Sequence, residues 1–246
     1  MPYNFFADYY DSLTQNVDYE KWAEYYLKIF ERYGYKPGIT LDLACGTGSL
    51  TLALANRNID VYGIDSSAEM LSKAQEKALD TGKSILFLRQ KMQNIDLYGT
   101  IDTCICALDS INHINKEKDV LNTFKKVSLF MNKGGLFIFD VNTLHKQRDV
   151  LANNTFVYDT DKVYCVWQNF TENGGETVEI VLDFFEKSGN SYYRSGENFK
   201  ETVYSDEKLT QMLTQSGFDV LDRFAEMSFD KPNSKTERVF YIARKI

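Results

Sequence analysis

The sequence predicts an α/β fold: a doubly wound, mostly parallel sheet of seven strands with helices on both faces, preceded by a helical segment and interrupted by an inserted antiparallel sheet. Three observations carry this. An apolar strand at Leu41-Asp42-Leu43 runs straight into the glycine turn Ala44-Cys45-Gly46-Thr47-Gly48 and then into a helix. β-rich runs then alternate with helical patterns as far as Val141, as βαβ units do. From about Thr143 to Ser205 the alternation stops, and long β-rich runs are joined by Asn173-Gly174-Gly175 and Ser188-Gly189-Asn190, which are hairpin signals. The expected divisions are an aromatic helical lid over residues 1–35, the α/β domain over 36–142 and 205–246, and the inserted antiparallel subdomain over 143–204.

Each element has its own signal. Residues 3–33 are dense in aromatics, among them Tyr3, Phe5, Phe6, Tyr10 and Trp22. Trp22, Tyr25/Tyr26 and Ile29/Phe30 recur at helical spacing, which predicts an amphipathic helix from Tyr19 to Arg32. Ile59 to Asp65 reads as the second strand and ends on a carboxylate. Ser66-Ser67-Ala68-Glu69 follows as a capping box, with Ser66 accepting from the Glu69 N–H, and opens a helix that runs to about Thr81 and stops at Gly82. The third strand is Ile85 to Arg89 and the fourth Ile101 to Leu108, with a loop over Asp109 to Ile114. A helix from Lys116 to Met131, closed by Asn132-Lys133-Gly134-Gly135, leads to the fifth strand, Leu136 to Val141. In the insert, Val163 to Phe170, Thr177 to Lys187 and Ser191 to Glu201 read as strands; Val178, Ile180, Leu182 and Phe184 alternate with Glu179 and Asp183. A helix from Asp206 to Ser216 and strands at Phe218 to Phe224 and Val239 to Arg244 complete the domain.

Composition narrows the partners. The 246 residues carry a net charge of −7, and Lys and Arg are scattered, so no basic footprint for nucleic acid is present. No segment is long and apolar enough for a membrane span, and the first residues carry no basic stretch followed by an apolar one, so a cytoplasmic protein is expected. Cys45, Cys104, Cys106 and Cys165 lack metal-ligand or disulfide spacing; reduced thiols and no metal are expected.

The glycine turn carries the chemistry. Gly46 and Gly48 lack a β-carbon, so backbone N–H groups there can approach a ligand closely, where a helix N-terminus also favours negative charge. Asp65, ending the next strand, is placed to chelate a ribose diol. The dinucleotide fingerprint G-x-G-x-x-G wants a third glycine where this chain has Thr51, which weakens a nicotinamide reading. Leu41 to Leu50 instead resembles motif I of the class I S-adenosylmethionine (SAM) methyltransferases, of Rossmann-like fold and small-molecule type, similar to sugar-amine N-methyltransferases. The resemblance implies SAM as cofactor, S-adenosylhomocysteine as product, and a last strand running antiparallel beside the fifth. It implies cofactor contacts from Ala44, Cys45, Gly46, Thr47, Gly48, Asp65, Ser66, Met70, Met92, Gln93 and Leu108, with Tyr10-Asp11 and Trp22 folding over the methionine end. Where the family commonly has an Asp on the adenine amino group, this chain has Lys91, a donor, and Met92 and Gln93 are left to hold the ring.

The loop after the fourth strand should face the transferred methyl group, because ligands of open parallel sheets bind outside the strand carboxyl ends. His113, one of two histidines, is the candidate base there. Ser110-Ile111-Asn112-His113 matches the Ser-Ile-x-His loop that supplies such a base in the sugar-amine enzymes. Tyr10 is the second catalytic candidate; His145 has a lower claim, and Asp109 either orients the acceptor or bonds backbone. The function read from this is methyl transfer to nitrogen or oxygen of a small molecule. Two alternatives stay open: a tRNA or protein acceptor, which the acidic balance disfavours, and a SAM-binding regulatory protein without turnover, which Lys91 keeps alive. The insert is expected to form a substrate wall or, equally, a homodimer surface.

Overall fold

The structure is a computed structural model that describes residues 6–161 and 163–246. Tyr3 and Phe5 of the aromatic segment lie outside the described residues, as does the Phe6 side chain. The chain opens with helices α1 (Phe6–Leu13) and α2 (Tyr19–Arg32) and then enters the sheet with β1 (Thr40–Leu43), α3 (Ser49–Ala55), β2 (Val61–Asp65), α4 (Ala68–Asp80), β3 (Phe87–Arg89), β4 (Ile101–Cys106), α5 (Glu117–Phe130) and β5 (Met131–Asn142). The insert contributes β6 (Thr155–Asp159), β7 (Val163–Glu172), β8 (Thr177–Ser188) and β9 (Ser191–Thr202); α6 (Asp206–Gln215), β10 (Phe218–Ala225) and β11 (Arg238–Lys245) close the fold.

The seven-stranded sheet has the order β10-β11-β5-β4-β1-β2-β3. β1 to β5 pair in parallel, and β11 runs antiparallel to both β5 and β10, as expected. Side chains alternate between its faces. Ile105, Ile138, Phe240 and Ile242 face α2 and α3, while Cys104, Cys106, Phe137 and Phe139 face α5 and α6. The sheet is therefore covered on both sides, which is why its central strands read as continuous apolar runs.

Two local expectations are corrected. The helix cap after β2 is Ser67, not Ser66: its hydroxyl oxygen accepts from the Met70 N–H at 3.2 Å and bonds the Glu69 carboxylate at 2.8 Å. The shift follows from Asp65, whose side chain takes the Ser67 N–H at 2.9 Å and holds Ser66 in the turn. The Asn132–Gly135 loop is drawn into β5, where Ile101 pairs Met131 and Thr103 then pairs Leu136 across a register shift.

The insert is a separate four-stranded antiparallel sheet, β6-β7-β8-β9. β6 escaped the sequence reading because it is a short edge strand with no fully buried residue. Val178, Ile180, Leu182 and Phe184 are all buried, and they pack not on the large sheet but on Ala7 and Leu13 of α1 and Met70 of α4. Tyr9 stacks on Phe184 with ring centroids 5.6 Å apart. The insert thus backs α1. Among the described residues, no helix is long and apolar enough to cross a membrane.

Candidate active site

The strand, turn and helix at residues 40–55 set the floor of the site. Ala44, Gly46 and Gly48 all have positive φ, so the chain turns sharply between β1 and α3. The two glycines serve different ends. A β-carbon on Gly46 would meet nothing within 4 Å, whereas one on Gly48 would sit 2.8 Å from the Ala74 Cβ and 3.2 Å from the Phe87 ring. Gly46 opens on a cavity; Gly48 lets α4 and β3 pack against the turn and does not line that cavity. Asp65, at the end of β2, accepts from the Gly46 N–H at 3.0 Å and the Ser67 N–H at 2.9 Å. Burial raises its carboxyl above the ordinary range, and those two donors oppose the rise. Beneath the turn the Thr51 hydroxyl donates to Asp42 at 2.6 Å, so the residue in place of a third glycine anchors a buried carboxyl that burial pushes up to about 7.

Two adjoining cavities, of about 170 and 480 Å³, lie beyond the strand carboxyl ends. The first is walled by Tyr10 of α1, by Ala44, Cys45, Gly46 and Thr47 of the turn, and by Asp65, Ser66 and Met70. Met92, Leu108 and His113 also line it. The second takes in Lys91 and Gln93 and reaches Phe199 and Lys200 of β9. Ala44, Asp65, Ser66, Met92 and His113 belong to both.

Trp22 reaches neither. It is buried against Phe240, ring centroids 5.4 Å apart, with the Arg238 guanidinium 5.6 Å from its ring centre. Its helical spacing marks a core face of α2, and Tyr19, at the helix start, is the α2 residue on the cavity wall.

α1 is fastened across the turn by Asp11. Its carboxylate accepts from the Thr47 hydroxyl at 2.7 Å and pairs with Lys77 of α4 at 2.5 Å; the Lys77 ammonium also donates to Thr47 and Ser49 at 2.9 and 2.8 Å. Tyr10, the next residue back, is thereby held over the first cavity.

The loop after β4 is also strained. Leu108 and Asp109 follow each other with φ of 55° and 52°, a conformation that costs non-glycine residues free energy and persists only where partners enforce it. The Asp109 N–H donates to Asp140 at 2.8 Å, and Arg238 of β11 bonds both carboxylates, Asp109 at 2.7 Å and Asp140 still more closely. Burial works against the Asp109 charge, but the Arg238 guanidinium and His113 outweigh it and hold the carboxyl below its ordinary range. Asp109 is therefore an ion-pair partner of Arg238.

His113 ends the 3-10 turn Ser110–His113. Burial lowers its pKa, against the pull of Asp109 and Asp65, so the imidazole is neutral at physiological pH. Glu201 of β9, buried, has Oε1 3.7 Å from His113 Nε2. Burial and Asp109 push its carboxyl up to about 8. Single ligand-type atoms of Asp109, His113 and Glu201 lie within 4.8 Å of one another, but Arg238 already engages Asp109. His145 lines neither cavity and pairs with Asp149 at 2.8 Å. Glu201 and Arg238 were invisible to sequence reasoning, because the tertiary fold brings Glu201 to His113 and Arg238 to Asp109 from far along the chain.

The comparisons with known proteins agree with this geometry. Residues 40–135 match the family described as a methyltransferase domain. The chain is 33% identical to the candidate methyltransferase YqeM of Bacillus subtilis (strain 168), over 100% of this chain and 98% of that protein. It is similar at 35% identity and a TM-score of 0.88 to the crystal structure of a SAM-dependent methyltransferase from Clostridium acetobutylicum, covering 99% of this chain and 98% of that one. The chain belongs to the SAM-dependent methyltransferases. This methyltransferase is also 32% identical to a glycine/sarcosine N-methyltransferase of Halorhodospira halochloris, over 98% of this chain and 87% of that protein. It shares its fold, at 16% identity and a TM-score of 0.79, with the sugar N-methyltransferase KedS8 of Streptoalloteichus, over 100% of this chain and 94% of that one.

Proposed function

We propose that this methyltransferase acts on a small molecule and methylates a nitrogen. The observation that carries the reading is His113: a neutral imidazole on the wall shared by both cavities, beside two carboxyl groups and past the end of β4. Bound SAM supplies a methyl group on a sulfonium, an electrophile with an excellent leaving group. The residues read as holding it are Tyr10, the turn Ala44 to Thr47, Asp65, Ser66, Met70, Met92, Gln93 and Leu108. They fit such a group, since the Gly46 face is open and the Asp65 carboxylate keeps lone pairs beyond its two backbone bonds. Trp22 and Gly48 act through packing in this reading.

The remaining work belongs to the protein. Holding an acceptor in line with the donor contributes roughly 7–11 kcal/mol. A protonated amine must also lose a proton before it can attack, and His113, an imidazole on the wall of both cavities, can take it. A carboxyl-rich acceptor side favours an amine over an anionic acceptor. The likeness to a glycine/sarcosine N-methyltransferase supports nitrogen as the acceptor atom. Cavities of about 170 and 480 Å³ suit a small molecule.

The test is formation of S-adenosylhomocysteine from SAM in the presence of small primary and secondary amines, matched alcohols, tRNA and unfolded protein. Turnover with amines is expected. Turnover confined to alcohols, tRNA or protein would overturn the reading.

A further inference from the structure

We propose that Glu201, delivered by the inserted sheet, is the positioning residue for His113; the inference rests on the reading of His113 as the proton acceptor. On a strand, residues two apart share a face. β9 uses this to set two side chains against His113: the Phe199 ring centroid lies 5.2 Å from that of the imidazole, and Glu201 Oε1 lies 3.7 Å from Nε2. The register is pinned to the turn that carries His113. Asn112 Nδ2 donates to the Thr202 carbonyl at 2.9 Å, the Thr202 hydroxyl bonds Asn115 Oδ1 at 3.0 Å, and the Tyr204 hydroxyl donates to the Ile114 carbonyl. A slip of one residue would turn both side chains to the other face. The second Glu201 oxygen accepts from Gln147 Nε2 at 3.3 Å, so the carboxyl is held away from water at both ends.

The consequence is a coupled pair. With Glu201 ionised, its carboxylate, 3.7 Å from Nε2, favours the tautomer that carries the proton on Nε2 and leaves Nδ1 with its lone pair. The acceptor's proton then moves from nitrogen to Nδ1, and Glu201 stabilises the imidazolium that results. The other charged groups facing the pair are Asp109, held ionised by Arg238, Asp65 at the end of β2, and Asp140 and Lys146 behind Asp109. At neutral pH the buried Glu201 carboxyl keeps its proton, and it loses that proton near pH 8, 3.7 Å from the imidazole. Two interacting groups titrate as a unit, so the His113 ring reports that release.

The protein has two histidines, which makes the test direct. In ¹⁵N-histidine NMR, His113→Phe assigns the signals. In wild-type protein the His113 nitrogens should change near pH 8. In Glu201→Gln, which keeps the side chain's size and its contact with Gln147, that change should vanish and the ring should titrate below the ordinary value of about 6.5. Identical titrations in the two proteins overturn the proposal. So does a wild-type ring with no change near pH 8, an outcome that does not depend on the variant folding. Neither readout needs SAM or an acceptor, so failure of amine methylation is distinguishable from failure of this coupling. With an amine substrate, Glu201→Gln should lower kcat about 10-fold or more with the KM for SAM unchanged, and move the acid limb of the pH profile to lower pH. An unchanged kcat and profile overturn the positioning role even where the coupling is seen.

Discussion

Asp65 and His113 lie on the wall common to both cavities and have opposite electrostatic tasks. Asp65 must present a carboxylate to a ligand. Asp65→Ala is expected to weaken SAM binding about 10-fold or more, since a hydrogen bond to a charged group contributes roughly 1.5–3 kcal/mol; unchanged affinity by calorimetry would remove it from the cofactor site. His113 must instead be neutral and basic. His113→Phe should leave SAM affinity intact and lower methyl transfer about 10²-fold or more, and a fully active variant would end its role as base. Both residues were legible in the sequence because Asp65 ends a readable strand and His113 lies in the loop that follows one. Their chemistry was not, because neutrality at His113 comes from burial that no local pattern records.

At the scale of elements, α1 is the part of the wall that lies outside the large sheet and its flanking helices. Residues 14–18 connect it to α2, and its attachment to the turn runs through Asp11, Lys77 and Thr47. The pair is partly exposed, so its loss is a modest effect. Lys77→Met is expected to speed SAM dissociation about 2- to 5-fold in stopped-flow measurements, and equal rates would mean that α1 does not gate the site. The helical spacing of Trp22, Tyr26 and Ile29 located α2 correctly. That spacing fixes which residues share a face, but not what the face meets, and Trp22 meets Phe240 of the last strand. The insert's alternation was equally readable, while its packing on α1 was not.

The whole molecule carries its buried carboxyls as a pH dependence. Asp42, Asp140 and Glu201 are pushed up to about 7, 6 and 8, burial being the largest cause in each. Each keeps its proton to higher pH when folded than when unfolded. Between about pH 5 and 8 the native chain therefore binds more protons, and its stability falls as pH rises through that window. The melting temperature should decline from pH 5.5 to pH 8.5. Asp42→Asn retains an acceptor for the Thr51 hydroxyl and removes one of these charges, so it should raise the melting temperature at pH 8 by about 2–4 °C and flatten the decline. A variant that melts lower than wild type at pH 8 would show that the Asp42 charge is compensated in the fold.

The sequence by itself determined the doubly wound sheet, the inserted hairpins, the glycine turn and the acid at residue 65. All of these are written in local periodicity and turn chemistry, which act over a few residues. Only the tertiary structure decided that Ser67 caps α4, that Gly48 serves packing, that Trp22 belongs to the core, and that Arg238 and Glu201 flank the loop carrying His113. Ser67 and Gly48 take their roles from the Asp65 side chain and from α4 and β3 packing on the turn; the order β10-β11-β5-β4 brings Arg238 to Asp109, the placement of β9 brings Glu201 to His113, and burial then sets the protonation of the groups that meet there.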